Sequence, residues 1–283
     1  MILFKKTAQL RKWLDVQHEK GNGWGFVPTM GALHSGHISL IEISRKANPL
    51  TVSSIFVNPA QFNDPKDFEK YPITIEKDIA MLVAAGCDSI FLPSVKEIYP
   101  DGIYPSKQYE LGYLETILEG KFRPGHFQGV CMVMERLLEI VQPANLYLGQ
   151  KDYQQCMVIK KLVELMGQAD QIRINICPTL READGLAMSS RNMRLNEDER
   201  KRSTAIYHSL VMIKNELAAA NLSMLKKKAQ TILEEAGFKV EYVEIADAGD
   251  LSPVNSWDGK QKIVALIAAF MNEVRLIDNM LVR

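Results

Sequence analysis

The sequence predicts an α/β protein: a parallel sheet covered by helices on both faces, followed by a smaller α+β domain. Short apolar strand segments alternate with helical segments over the first 177 residues. Strands that are apolar along their whole length are typical of a parallel sheet whose two faces are both buried. The pattern changes near Pro178, where a polar segment precedes two helices and three consecutive strands.

The elements of the first domain follow from hydrophobic periodicity and from turn residues. Its strands are predicted at residues 24–28, 50–57, 89–92, 144–148 and 172–177. Its helices are predicted at residues 38–47, 74–85, 130–141 and 152–166. Gly86 marks the end of the second helix, and residues 130–141 carry apolar side chains at the spacing of an amphipathic helix.

The second domain begins with a polar, loop-like segment at residues 181–194. Two helices are predicted at residues 197–220 and 224–236, and three strands at residues 239–246, 262–269 and 273–278. Helices followed by consecutive strands are typical of an α+β unit. We therefore expect a Rossmann-like domain of residues 1–177 and a smaller α+β domain of residues 178–283.

Composition excludes several classes of protein. Lys and Arg total 34 and Asp and Glu total 34, so the net charge is zero and a surface for a nucleic acid is not expected. The amino-terminal 20 residues have no secretory apolar core, and the longest apolar stretch, residues 263–271, is too short to span a membrane. The four cysteines are widely spaced, which favours buried free thiols and a cytoplasmic location.

Polar residues cluster directly after the predicted strands. In an open parallel sheet, ligands bind beyond the carboxyl ends of the strands, so these segments are the candidate site. The segments are Thr29–His37, Asn58–Phe62, Gly149–Gln155 and Met188–Asn192.

The sharpest of these segments is His34-Ser35-Gly36-His37. Its two imidazoles lie three residues apart at a helix start and can face the same way. Gly31 and Gly36 allow tight turns, and the free N–H groups of a helix start favour an anion such as a triphosphate. Two alternatives stay open: a pair of solvent-exposed histidines near a helix cap, and a zinc pair that lacks a third ligand of obvious spacing.

Two cations stand beyond strands in the same way, Lys151 and Arg191, and the hydroxyls of Ser189 and Ser190 precede the second. They are the natural partners of a phosphate chain, although most lysines and arginines are simply solvated surface charges. The run Lys226-Lys227-Lys228 is better explained as a solvated helix face.

Five motifs in order carry a family resemblance. They are Val27–His37, Phe56–Phe62, Arg123–Phe127, Gly149–Gln155 and Arg181–Asn192. With them the chain resembles the pantothenate synthetase family, the pantoate–β-alanine ligases of the nucleotidyltransferase superfamily that also includes class I aminoacyl-tRNA synthetases. Two positions depart from the family pattern: Ile73 stands where Arg is common, and Gln150 where Glu is frequent.

The resemblance implies a two-step reaction with ATP, (R)-pantoate and β-alanine. Pantoate and Mg-ATP give a pantoyl adenylate and pyrophosphate, and the amine of β-alanine then releases AMP. The resemblance also implies Mg²⁺ as the cofactor, a homodimer, and a second domain that covers the site. Alternatives remain: another nucleotidyltransferase that would share the histidines and the Ser-Ser-Arg loop, or a non-catalytic nucleotide-sensing module.

The resemblance also implies roles for individual residues. The catalytic residues would be His34, His37, Lys151 and Arg191. ATP would be bound by Met30, Gly31, Ala32, Leu33, His34, Ser35, Gly36, His37, Gly149, Gln150, Lys151, Asp152, Leu180, Met188, Ser189, Ser190 and Arg191. Pantoate and β-alanine would contact Met30, Asn58, Gln61, Phe62 and Gln155. Phe56, with Met30 and Phe62, would offer an apolar wall for the gem-dimethyl carbon of pantoate. Asp78 is a candidate Mg²⁺ contact, and Tyr71, Arg123 and His126 are candidate supporting residues.

Overall fold

The computed structural model describes residues 1–62, 68–69, 71–103, 107–217 and 221–282. The chain divides into two compact units. Unit 1 comprises Met1–Gly149 and Gln154–Cys177, and unit 2 comprises Gln150–Tyr153 and Pro178–Arg283. The predicted ranges 1–177 and 178–283 differ from this division at residues 150–153.

Unit 1 is built on a six-stranded sheet in which every pair of neighbouring strands is parallel. Its strands are β1 (Ile2–Phe4), β2 (Trp24–Thr29), β3 (Leu50–Ile55), β4 (Ser89–Phe91), β5 (Asn145–Gly149) and β6 (Arg173–Cys177). Their spatial order is β1-β4-β3-β2-β5-β6. The chain runs from β2 to β3 on one side and later returns to add β5 on the other side of β2, so the topological switch point lies between β2 and β5.

Helices flank this sheet, as the sequence predicts. They are α1 (Thr7–Glu19), α2 (Ser35–Ala47), α3 (Ile75–Ala84), α4 (Val95–Ile98), α5 (Leu118–Phe122), α6 (His126–Val141) and α7 (Tyr153–Leu165). Short 3₁₀ turns cover Pro59–Gln61 and Gly112–Glu115. The apolar faces of α2 and α3 pack on β2 and β3 in a cluster that includes Val27, Ile41, Ile55 and Leu82. Burying these side chains is the main source of the unit's stability.

In its described residues, unit 2 combines three helices with a three-stranded antiparallel sheet of order β7-β8-β9. Its elements are α8 (Glu197–Arg202), α9 (Ala205–Glu216), α10 (Leu222–Glu235), β7 (Phe238–Asp247), β8 (Ile263–Met271) and β9 (Val274–Leu281), with 3₁₀ turns at Gln150–Asp152 and Ser190–Arg194. The helices and the sheet share one apolar core, which includes Leu210, Ile213, Leu233 and Ile267. The predicted fold class, α/β followed by α+β, is confirmed.

The prediction of one helix over residues 197–220 is wrong. Helix α8 ends at Arg202 and α9 begins at Ala205. The hydroxyl of Ser203 donates to the Glu199 carbonyl at 2.7 Å, and the hydroxyl of Thr204 donates to the Lys201 carbonyl at 2.9 Å. These side chains occupy carbonyls of the preceding turn, which is a known way for Ser and Thr to disturb a helix. The predicted residues 218–220 lie outside the described residues.

All four cysteines are buried and free, as predicted. Burial raises the pKa of Cys87 and of Cys131 to about 12, so both thiols stay protonated at neutral pH. A protonated thiol is a poor nucleophile and a poor metal ligand. Within the described ranges, no helix has the length and the apolar composition that a membrane crossing requires.

Candidate active site

The loop between β2 and α2 is shaped by a buried carboxylate. Gly31 and Ala32 both adopt left-handed conformations, with φ of 78° and 49°. Ala32 N–H donates to Asp78 Oδ2 at 2.9 Å, and Leu33 N–H donates to Oδ1 of the same side chain at 2.8 Å. The left-handed backbone costs free energy at Ala32, and these hydrogen bonds offset that cost. Asp78 therefore fixes the entry to the His34–His37 turn.

This arrangement favours a positioning role for Asp78 over the predicted Mg²⁺ contact. The side chain is 1% exposed, and Thr74 Oγ1 adds a third hydrogen bond at 3.0 Å. Both carboxylate oxygens are thus engaged by the protein. In the part of the chain that the structure describes, no group of three or more His, Cys, Asp or Glu side chains is placed to hold a metal ion.

His34 and His37 together build the first turn of α2. His34 is the N-cap residue, and its Nδ1 accepts from Gly36 N–H at 3.1 Å. His37 Nδ1 accepts from His34 N–H at 3.3 Å, and the two ring centroids lie 4.1 Å apart. An Nδ1 that accepts a backbone N–H carries no proton, so each neutral imidazole holds its proton on Nε2. On each neutral ring the N–H donor is therefore Nε2, and both residues belong to the first turn of a helix, at its positive end.

A second cluster in unit 1 joins the ends of β2 and β3. Asn58 is 1% exposed and accepts the Tyr99 hydroxyl on Oδ1 at 2.9 Å. Its Nδ2 donates to Gln61 Oε1 at 3.1 Å and to the Gly129 carbonyl at 3.0 Å. Gln61 Nε2 in turn donates to Met30 Sδ at 3.0 Å. The structure thus brings together three of the predicted pantoate residues, Met30, Asn58 and Gln61.

The supporting residues of this cluster lie on both sides of Gln61. The Arg123 guanidinium contacts His126 Nε2 at 3.1 Å, and His126 Nδ1 lies 2.8 Å from the Gln61 carbonyl. A guanidinium can only donate, so Nε2 accepts and Nδ1–H donates to Gln61. The Phe62 ring packs edge-on against Tyr71, with centroids 5.8 Å apart. Arg123, His126 and Tyr71 therefore support the segment that carries Gln61 and Phe62.

Two neighbouring glutamines at the start of α7 differ in their surroundings. Gln154 is buried, and its Nε2 donates to the carbonyls of Leu114 and Ile117 at 2.8 and 3.0 Å. Its Oε1 accepts the N–H of Glu119 at 2.9 Å. Gln155, the predicted ligand, is only half-buried. The structure thus assigns Gln154 to holding the 114–119 segment.

In unit 2, Lys151 lies in a short turn that is tied to β9. Its side chain is 17% exposed, and Nζ lies 3.9 Å from Asp152 Oδ1. Asn279 Nδ2 donates to the carbonyls of Gln150 and Lys151 at 2.9 and 2.8 Å. Gln150 Nε2 donates back to Asn279 Oδ1 at 3.2 Å. Gln150, one of the two departures from the family pattern, thus contributes a donor that a glutamate would lack. The other departure, Ile73, is exposed.

The segment from Leu180 to Met188 is a small hairpin. Met188 N–H donates to the Leu180 carbonyl at 3.1 Å, and Arg181 bridges Ala187 in an antiparallel pair. Gly185 closes the turn at φ 92° against the Tyr207 ring, where a Cβ would lie 2.1 Å from a ring carbon. The hairpin delivers the chain to the 3₁₀ turn Ser190–Arg194. Ser189 caps that turn, with Oγ accepting from Arg191 N–H at 3.3 Å.

A buried ion pair anchors this hairpin. Arg181 donates to both oxygens of Asp278, at 2.5 and 3.1 Å, and to the Asn279 carbonyl at 3.2 Å. Burial raises the pKa of the Asp278 carboxyl, and the Arg181 guanidinium opposes that rise. Sequence reasoning missed Asp278 and Asn279, because they sit in a strand far along the chain from every motif that they hold.

The predicted site residues thus form two groups. Those of unit 1 are Met30–His37, Asn58, Gln61, Phe62, Asp78, Gly149 and Gln155. Those of unit 2 are Gln150, Lys151, Asp152, Leu180, Met188, Ser189, Ser190 and Arg191. The lysine run on α10 belongs to neither group: Lys226 pairs with Glu244 at 2.9 Å and Lys228 with Glu216 at 2.5 Å, which fits the predicted solvated helix face.

A parallel sheet with a His-x-Gly-His turn at the helix start beyond its switch point defines an α/β protein of the nucleotide-binding class. Comparison with known proteins narrows this class. The profile of the family described as pantoate-beta-alanine ligase matches residues 2–281. The chain belongs to this family, as the five motifs predict, and it is a ligase that joins pantoate to β-alanine with ATP.

Similar proteins match over essentially the whole chain. A pantothenate synthetase of Cytophaga hutchinsonii is 43% identical over 285 residues, covering 100% of this chain and 99% of the relative. Another, of Bacteroides thetaiotaomicron, is 42% identical and covers 99% and 98%. The crystal structure of pantothenate synthetase from Thermus thermophilus has a TM-score of 0.91 at 38% identity, covering 100% of this chain and 99% of that one.

A further solved structure carries ligands. It is the pantoate-beta-alanine ligase of Francisella tularensis in complex with beta-gamma ATP and β-alanine, with a TM-score of 0.81 at 38% identity. It covers 100% of this chain and 98% of that chain.

Proposed function

We propose that the ligation runs through a pantoyl adenylate. A carboxylate oxygen of (R)-pantoate attacks the α-phosphorus of ATP, the bond to the bridging oxygen breaks, and pyrophosphate leaves with the electron pair. The amine of β-alanine then attacks the acyl carbon, AMP leaves, and the nitrogen loses a proton to give pantothenate. Adenylation replaces a poor leaving group, oxide, by a good one, so the protein needs no covalent bond of its own to the substrate.

The observation that carries this proposal is the shared cap of His34 and His37. Because both Nδ1 atoms accept backbone N–H groups, both Nε2–H groups are donors. We assign them to the phosphate oxygens, where negative charge develops during the attack. The first turn of α2, from Ser35 to His37, adds the helix N-terminus. Residues 30–33 would follow the nucleotide as the loop that leads into this turn.

For pantoate we propose Gln61 and Gln155 as the direct ligands, because side-chain amides suit hydroxyls and a carboxylate. Met30 and Phe62 would supply apolar walls for its gem-dimethyl carbon. Asn58 has both side-chain polar atoms engaged by Tyr99, Gln61 and Gly129. We therefore refine its role from a ligand to the residue that orients Gln61.

In unit 2 we assign Lys151 and Arg191 to the phosphate charge, with the hydroxyls of Ser189 and Ser190 as further donors. Asp152, next to Lys151, would accept from a ribose hydroxyl, with Gly149 and Gln150 beside it. The hairpin residues Leu180 and Met188 would flank the adenine. Only 17% of the Lys151 side chain is exposed, whereas an ordinary surface lysine is largely solvated.

Magnesium enters this proposal as part of the substrate Mg-ATP. When bound, it neutralises phosphate charge, and it is usually held by phosphate oxygens and water with few protein ligands. Such a site does not require the Asp78 carboxylate as a ligand. Both oxygens of Asp78 already accept hydrogen bonds, from Ala32, Leu33 and Thr74. A cytoplasmic location and a homodimer remain predictions; four free, buried cysteines support a reducing compartment.

Isotope exchange and product release test the proposal. Pyrophosphate–ATP exchange is expected only when pantoate is present, and AMP release only after β-alanine is added. Lys151→Ala is expected to slow exchange by ~10²–10³-fold, whereas Lys226→Ala, a lysine on α10, should leave it unchanged. Exchange without pantoate would indicate a different nucleotidyltransferase reaction, and ATP binding without exchange would indicate a nucleotide-sensing module.

A further inference from the structure

We propose that Asn279, on β9, is the positioning residue of Lys151. It would hold the turn that carries this lysine at a fixed distance from the Ser189–Arg191 segment. The inference rests on the role of Lys151 in the proposed function. It adds a residue of the last strand, outside all five motifs, to the machinery of the adenylation step.

The first support is the complete use of the Asn279 side chain. The residue is 2% exposed. Both hydrogens of its Nδ2 serve one turn, through the carbonyls of Gln150 and Lys151, and its Oδ1 accepts Gln150 Nε2. Three hydrogen bonds from one buried amide leave this turn little rotational freedom, and removing the amide would strand two carbonyls without their donors.

The second support is that Asp278, the residue before Asn279, holds the hairpin that leads into the Ser189–Arg191 segment. The Asp278 carboxylate accepts hydrogen bonds from both terminal nitrogens of Arg181. The hairpin that carries Arg181 leads into Ser189 and Arg191. Asp278 Oδ1 also accepts Asn279 N–H at 2.8 Å, and the Asn279 carbonyl accepts from Arg181 at 3.2 Å. Two adjacent residues of β9 therefore hold both segments, so their relative placement is set by a single stretch of backbone.

The third support is a second anchor on the same turn. The Tyr153 hydroxyl donates to the Ala248 carbonyl at 2.6 Å, just beyond the end of β7. The segment Gln150–Tyr153 is thus tied to unit 2 near both of its ends. Burial raises the pKa of the Asp278 carboxyl, and the positive charge of Lys151 is among the influences that oppose this rise. Held in this way, the backbone from which the Lys151 side chain extends is fixed before the reaction begins. A displacement of about 1 Å in a reacting or binding group can cost ~10²-fold in rate.

A double-mutant cycle tests the inference. Single-turnover formation of the adenylate is measured for the wild type, Asn279→Ala, Lys151→Ala and the double variant. If Asn279 acts through Lys151, Asn279→Ala slows the step by ~10–100-fold in the wild type. In the Lys151→Ala background the same change should cost less than about twofold, because the group that it positions is already gone.

Two further variants keep the test decisive. Asn279→Asp has nearly the same size, but its carboxylate cannot donate to the two carbonyls. It should therefore slow the step as much as is expected of Asn279→Ala. If the alanine variant folds poorly, the aspartate variant provides the test. Asn221→Ala removes the cap of α10 in the same unit, where Oδ1 accepts Ser223 N–H at 2.8 Å, and should lower Tm without slowing the step.

Several outcomes would overturn the inference. An equal loss in both backgrounds would mean that Asn279 acts independently of Lys151. A loss in Asn221→Ala as large as that in Asn279→Ala would reduce the effect to general stability. An unchanged rate in Lys151→Ala alone would instead remove the proposed role of Lys151, and the inference with it.

Discussion

At the scale of single residues, the proposed reaction would give the two ring nitrogens of His34 and His37 different functions, one structural and one chemical. Each Nδ1 accepts a backbone N–H at the start of α2, and each Nε2 carries the proton. The two ring centroids lie 4.1 Å apart within this shared cap. Because the two functions reside on different atoms, a substitution can remove one and keep the other.

His34→Asn makes that separation measurable. The Asn Oδ1 can replace Nδ1 as the acceptor of Gly36 N–H, since Asn is a good N-cap residue, but nothing replaces the Nε2–H. We expect Tm to stay within about 2 °C of the wild type. The adenylation rate should fall by ~10²–10³-fold, the scale of losing one transition-state donor. His34→Gln should instead lower Tm, because Gln is not among the preferred N-cap residues. A normal adenylation rate in His34→Asn would contradict the assignment.

The residues that could be found from the sequence are those whose partners lie close along the chain. The spacing of His34 and His37 is local, and Lys151 and Arg191 each follow a predicted strand. The hydrogen bonds of Asp78 to Ala32 and Leu33 could not be predicted from the sequence, because they depend on how α3 packs. Asn279 left no local signal at all, since it meets Lys151 only through tertiary structure.

At the scale of elements, the same contrast explains which helices and strands could be predicted. Residues 130–141 carry apolar side chains at regular helical spacing, and α6 contains all of them. Strand β1 has only three residues at the edge of the sheet, too few for a pattern. The break between α8 and α9 depends on hydroxyl-to-carbonyl bonds at Ser203 and Thr204, which periodicity does not register.

Helix α6 also sets the position of the Gln61 turn, and Gly129 tests this. A Cβ at Gly129 would lie 2.1 Å from the Ala60 carbonyl oxygen, so Gly129→Ala must push the Pro59–Gln61 turn away. It would also strain the hydrogen bond from Asn58 to the Gly129 carbonyl. We expect the KM for pantoate to rise about tenfold or more, by displacement of Gln61, with the KM for ATP little changed.

Steady-state kinetics with each substrate varied in turn would measure this split. Gly23→Ala is the matched control, because a Cβ there meets no atom within 4 Å and the backbone is not left-handed. If Gly129→Ala raised the KM for ATP as much as that for pantoate, the claim that α6 positions the pantoate residues would be contradicted.

At the scale of the whole molecule, the chain has a net charge of zero, and its described residues include an apolar core in each of the two units. Neutrality keeps long-range attraction to polyanions small. In the proposed reaction, a few donors and cations would bind one small triphosphate. The unfolding of the two cores can be followed separately by fluorescence, because two of the three tryptophans lie in different units. Trp24 donates to the Val141 carbonyl inside unit 1, and Trp257 packs against the core of unit 2.

We expect each core to govern the unfolding of its own unit. Leu210→Ala opens a cavity in unit 2 at a residue with no exposure, and should cost that unit about 2–5 kcal/mol. In denaturant, the fluorescence midpoint of a variant that keeps only Trp257 should then fall, while that of a variant that keeps only Trp24 moves less. Leu82→Ala in unit 1 should give the opposite pattern. Equal shifts of both midpoints for both substitutions would mean that the two cores unfold as one cooperative unit, and the division into independent folding units would be wrong.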